Sequence, residues 1–153
     1  MRVTIAAIGR ERDAHARALA EGYYARLPWT VTLRELEVKK PLSGAARMAA
    51  EAELLAAALP KGAPFVALDE RGREPGSVEF AQALAKLRDD GGGEVGFVIG
   101  GADGLDPDLR ARARYVLAFG RLTWPHLLVR VMLAEQLYRA HTILTGHPYH
   151  REG

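Results

Sequence analysis

The sequence predicts a single α/β domain spanning residues 1–153, with a mostly parallel sheet and helices on both faces. Two observations carry this. Five short apolar runs suited to strands alternate with stretches whose apolar residues recur at helical spacing, which is the pattern of β-α-β units. The chain also has no internal repeat and no linker, and 153 residues suffice for one core.

Taken in order, Arg2 to Ile8 (RVTIAAI) reads as a buried strand ended by Gly9. Asp13 can cap a helix whose apolar positions Ala16, Leu19, Ala20, Tyr23, Tyr24 and Leu27 follow helical spacing, closed by Pro28. Thr30 to Val38 alternates, with Val31, Leu33, Glu35 and Glu37 on one side and Leu36 and Val38 on the other, as a partly exposed second strand does. Ser43 is placed to cap the Ala-rich helix that runs to Leu59 and stops at Pro60. Pro64 to Asp69 is a third strand, and a helix from Ser77 through Leu87 is broken by Gly91 to Gly93. Glu94 to Ile99 is the fourth strand. Asp106 and Pro107 open a short helix, Tyr115 to Phe119 is the fifth strand, and the last helix covers Leu127 to Ile143.

Composition narrows the function classes. The absence of Cys removes disulfides, thiol catalysis and Cys-ligated zinc. No apolar run approaches the ~20 residues that span a bilayer, and Met1 to Ile8 is too short for a signal peptide, so a cytoplasmic protein without membrane partners is expected. The absence of Asn and the preference for Arg over Lys point to a thermophile or a GC-rich genome. The net charge of +2 hides an asymmetry: from Leu109 onward seven arginines face only Glu135 and Glu152, whereas the rest of the chain is net acidic. A basic third of this kind suits phosphate backbones, and equally a solvated surface.

In parallel sheets ligands sit beyond the carboxyl ends of strands, which directs attention to the loops that begin at Leu68-Asp69, Gly100-Gly101 and Gly120-Arg121. Gly100, Gly101 and Gly104 permit close backbone approach to a ligand, although a tight turn before a capped helix would use them too. The second candidate site is the tail after the last helix, where His147, Pro148, Tyr149, His150 and Arg151 crowd imidazole, phenol and guanidinium into five positions. Beyond the helix little core burial is expected, so the tail is read as functional and nearly neutral for stability.

The strings FVIGGADGL (Phe97 to Leu105), LTWPHLLVRVMLAEQLYRA (Leu122 to Ala140) and HPYHRE (His147 to Glu152) resemble the ribosomal RNA large-subunit methyltransferase H family of the SPOUT superfamily, and the resemblance extends over the whole chain. It implies a deep C-terminal trefoil knot, which periodicity alone would never suggest because knots are nearly absent among folds. It further implies a homodimer that takes S-adenosyl-L-methionine as cofactor and methylates N3 of a pseudouridine in a 23S rRNA stem-loop of the assembled ribosome. The cofactor residues carried over are Leu68, Gly100, Phe119, Gly120, Arg121, Leu122, Thr123 and Trp124. Backbone groups of these loops can read an adenine edge, and Leu68, Leu122 and Trp124 can cover its faces.

A sulfonium methyl is already activated, so alignment of the attacking nitrogen supplies most of the acceleration, on the order of 7 to 11 kcal/mol. The imide proton on N3 needs an acceptor, for which His150 is the candidate; Tyr149 is assigned to stacking on or bonding the target base, and Arg151 to phosphate or to charge developing on the ring oxygens. His126 reads as a loop-fixing residue, and a segment of the partner is expected to complete the pocket. Two other readings stay open: a metal site drawn from His147, His150 and either His126 or His141, with Glu152 the nearest carboxylate, and a non-catalytic ribosome or RNA-binding factor. The resemblance implies no metal.

Overall fold

The computed structural model describes residues 1–151; Glu152 and Gly153 lie outside the described residues, and with them the end of the HPYHRE string and of the expected 1–153 domain. Five strands and five helices alternate: β1 (Arg2–Ile8), α1 (Ala14–Ala25), β2 (Thr30–Leu36), α2 (Gly44–Ala58), β3 (Phe65–Arg73), α3 (Ser77–Asp90), β4 (Glu94–Ile99), α4 (Pro107–Arg112), β5 (Tyr115–Leu117) and α5 (His126–Thr145). The sheet order is β2-β1-β4-β3-β5, and every neighbouring pair is parallel.

Alternation along the central strands sends one set of side chains to each face. Val3, Ile5, Val66, Leu68, Val95, Phe97 and Ile99 meet Phe80 and Leu84 of α3 and Leu133 and Leu137 of α5. Ala6, Ile8, Phe65, Ala67 and Val98 meet Leu55 of α2 and Leu109 of α4 on the other face. The helices connecting β1 to β2 and β3 to β4 lie on the first face and step one way along the sheet; those connecting β2 to β3 and β4 to β5 lie on the second and step the other way. Alternating direction with alternating face gives all four crossovers the same hand, as strand twist requires.

The caps follow the sequence with one exception. Asp13 accepts from the amides of His15 (2.8 Å) and Ala16 (3.3 Å), and Asp106 from those of Asp108 (2.8 Å) and Leu109 (3.3 Å). Ser43 stands at the N-cap of α2, but its side chain makes no capping bond. The main departure is β3, which runs past Asp69 to Arg73. Leu117 of β5 lies opposite both Leu68 and Arg73, with an irregularity between them, and the Ala118 amide donates to the Arg73 carbonyl at 2.9 Å. The end of β3 therefore returns across the exit of β5. At Gly72 a Cβ would stand 2.7 Å from the Val116 carbonyl carbon and oxygen, so only glycine lets the two segments lie this close.

A buried arginine locks α5 to the sheet. Arg130 is 3% exposed and donates to the carbonyls of Ile8 (2.8 Å) and Gly9 (2.7 Å) and to Glu35 Oε2 (2.8 Å). Burial alone would raise the Glu35 carboxyl, but the Glu11 amide and the guanidiniums of Arg17 and Arg130 bond it and hold it below the usual carboxylate range. No helix among the described residues is long and apolar enough to cross a membrane.

Candidate cofactor cleft and the C-terminal tail

The carboxyl ends of β3, β4 and β5 converge on a cleft of about 310 Å³, the size range of small-ligand sites. Leu68, Gly100, Phe119, Gly120, Leu122, Thr123 and Trp124 line it. Of the residues expected there, Arg121 does not; its side chain is exposed outside the cleft.

Each wall has a local cause. Gly120 turns the β5 loop with φ of +93°, in the left-handed region that side chains avoid. The Trp124 indole N–H donates to the Phe119 carbonyl at 2.9 Å, closing the six-residue loop on itself. Leu122, 73% exposed, is left as an apolar flap at the mouth. On the β4 side, the Gly104 amide bonds the Gly101 carbonyl at 3.0 Å, and a Cβ on Gly100 would stand 2.9 Å from the Gly104 carbonyl oxygen. A side chain at Gly100 would thus push the loop apart from behind as well as narrow the cleft.

Sequence reasoning missed the rim. Asp69, Glu70 and Asp103 bring carboxylates to the cleft, with Arg71 beside them. Asp69 is held by the Arg71 amide (2.8 Å) and by Arg110 (3.3 Å). His126 also lines the cleft, and burial, aided by the Arg130 charge, pushes its imidazole below its ordinary range.

The tail is not in this cleft. The expectation that it stands free of the core is corrected: it folds back on α5. The Tyr149 hydroxyl donates to Glu135 Oε1 at 3.0 Å, its ring meets Tyr138 edge-on at 4.8 Å, and the Arg139 guanidinium lies 4.8 Å from its ring centre. Arg139 also contacts His150 Nδ1 at 3.1 Å. Burial, with the Glu135 hydrogen bond, pushes the Tyr149 phenol up to about 12, so it stays protonated at neutral pH. Arg151 is exposed. His126 and His141 sit at opposite ends of α5, His141 edge-on to Trp29, and among the described residues no three His, Asp or Glu gather as metal ligands.

A family model described as Predicted SPOUT methyltransferase matches residues 1–150. Ribosomal RNA large subunit methyltransferase H of Paramagnetospirillum magneticum is 55% identical over 151 residues, covering 99% of each chain. The protein of that name from Rhodospirillum centenum is 54% identical with the same coverage, and the one from Bradyrhizobium diazoefficiens is 47% identical over 159 residues, again covering 99% of each chain. The chain belongs to the ribosomal RNA large subunit methyltransferase H family. In this SPOUT family frame the three converging loops and the HPYH tail are the two parts whose chemistry needs explaining.

Proposed function

We propose that this SPOUT protein transfers a methyl group from S-adenosyl-L-methionine to N3 of a pseudouridine in 23S rRNA of the assembled ribosome. The observation that carries the reading is the convergence of the β3, β4 and β5 loops on one cleft of cofactor size. Its residues fit the group. Leu68, Leu122 and Trp124 offer apolar faces for adenine, the Gly100 and Gly120 loops offer bare backbone, and the Glu70 carboxylate complements a sulfonium cation, Asp69 and Asp103 being engaged by Arg110 and Arg47. When bound, the cofactor supplies an activated methyl.

The chain's own part is to orient and to move a proton. The cleft loops fix the donor, and the rim and tail fix the acceptor in line with it, which is where most of the acceleration arises. Tyr149, kept as a phenol, stacks on or donates to the target base. A guanidinium only donates, so in its contact with Arg139 the His150 Nδ1 is the acceptor. Nδ1 becomes the acceptor of the N3 proton once Arg139 turns to the RNA. Arg151, exposed at the chain end, takes a phosphate or the charge developing on the ring oxygens.

Cleft and tail are separate within one chain, which supports a homodimer in which the tail of one copy completes the cleft of the other. A surface groove supports it too: the exposed Leu19 (54%) lines it with Tyr23, Phe119, Val131 and Met132, beside Glu135 and Gln136. The close passage of β3 over the β5 exit at Gly72 supports the trefoil knot. Incubation of the protein and labelled cofactor with ribosomes from a strain lacking the protein, then nucleoside mass spectrometry of the 23S rRNA, tests the reading. One new N3-methylated pseudouridine is expected; RNA binding without label would instead make this a non-catalytic ribosome factor.

A further inference from the structure

Beside Gly101 in the glycine loop after β4 lies a buried carboxyl group, that of Glu51. Glu51 projects from α2 and is 6% exposed, yet its Oε1 has no hydrogen-bond partner. The one nearby cation, Arg47 on the same helix, is turned to Asp103 of the loop at 3.5 Å. Ile8 Cγ2 and Glu51 Oε2 each stand 3.0 Å from where a Cβ of Gly101 would be. Burial, then the charge of Asp103, push the Glu51 carboxyl above its ordinary range against the smaller opposing pull of Arg47.

A buried polar group without a partner is costly, and natural proteins keep few of them without a reason. Here the reason lies one residue away. Gly101 lines the cofactor cleft, and a Cβ added to it would stand 3.0 Å from Glu51 Oε2, so a ligand and this carboxyl share one strip of backbone.

We propose that Glu51 is a positioning residue for the Gly100–Gly104 loop, its carboxyl finding a backbone hydrogen-bond partner in that loop only when a bound cofactor presses the loop onto it. The inference rests on the cleft's taking S-adenosylmethionine. It makes Glu51 a group that costs stability in the free protein and returns it as affinity, because the ligand favours the state in which the carboxyl is satisfied.

That trade-off sets a test a merely structural residue would fail. Glu51→Leu fills the same space beside Ile8 without a polar group, and Glu51→Gln keeps the shape with both a donor and an acceptor. Each is melted without ligand and titrated calorimetrically with S-adenosylmethionine. Glu51→Leu is expected to melt at or above the wild-type temperature while its cofactor affinity falls at least about tenfold, the worth of one lost buried hydrogen bond. Glu51→Gln should bind within about threefold of wild type. Unchanged affinity in Glu51→Leu, a lowered melting temperature in that variant, or an equal loss in Glu51→Gln overturns the inference. Absence of binding heat with the wild-type protein would instead remove the cofactor reading itself, and this inference with it.

Discussion

The docked tail is open to a quantitative test at Tyr149, whose ring and hydroxyl make separable contributions. The hydroxyl bond to Glu135 at 3.0 Å lies in a partly buried setting in which Arg139 also bonds the carboxylate, so about 1 kcal/mol is a reasonable share for it. The edge-on contact with Tyr138 at 4.8 Å adds about 0.5 to 1.5 kcal/mol, and the Arg139 guanidinium against the ring about 0.5 to 1 kcal/mol more. Tyr149→Phe should therefore cost about 1 kcal/mol and Tyr149→Ala about 2 to 3.5 kcal/mol. For a chain of this length each kcal/mol is worth about 2 to 4 °C in Tm, so calorimetry should find Tyr149→Ala about 4 to 14 °C below wild type and Tyr149→Phe only about 2 to 4 °C below it. Equal Tm for wild type and Tyr149→Ala would refute the docked tail and restore the free one expected from sequence.

Other outcomes follow from single contacts. Gly120→Ala forces a side chain into the left-handed region at φ +93°, which costs about 1 to 2 kcal/mol; cofactor affinity measured by calorimetry should fall about five- to thirtyfold. His150→Ala should lower single-turnover methylation of ribosomes by about 10² if His150 takes the N3 proton, with cofactor affinity unchanged. Arg151→Ala should weaken ribosome binding and reduce its salt slope by about one, as loss of one phosphate contact requires. The Glu35 carboxyl is held below its ordinary range in the fold, so its contribution to stability is complete above about pH 4.3 and lost as pH falls through the lower folded value. Glu35→Gln should accordingly be less stable than wild type at pH 7 by urea denaturation, with the gap closing in acid.

Much of the scaffold was legible because its signals are local. Asp13 and Asp106 announce the helices they cap, Pro28 and Pro60 follow the helices they end, and alternation from Thr30 onward marks an edge strand half exposed to water. The cleft loops were legible for a topological reason, since a parallel sheet gathers its strand ends on one edge. What escaped depends on partners distant in the chain. The extension of β3 to Arg73 exists only because Leu117 of β5 pairs with it, and Arg130 is separated from Glu35 by 95 positions. Glu51 occupies a helix with nothing to distinguish it from the exposed Glu53. The tail's docking rests on the Glu135–Arg139 pair, four residues apart on α5, which sequence reading takes as an ordinary surface pair.

The central claim is that the ends of β3, β4 and β5 form the cofactor site of a methyltransferase, and a crystal structure of the protein grown with S-adenosylmethionine tests it most directly. The adenine ring is expected between Leu68 and Leu122 against the closed 119–124 loop, the sulfonium toward Glu70, and the Tyr149-His150 tail of a second copy facing the methyl group. Cofactor bound elsewhere on the protein, or a cleft left empty at millimolar cofactor, would contradict it.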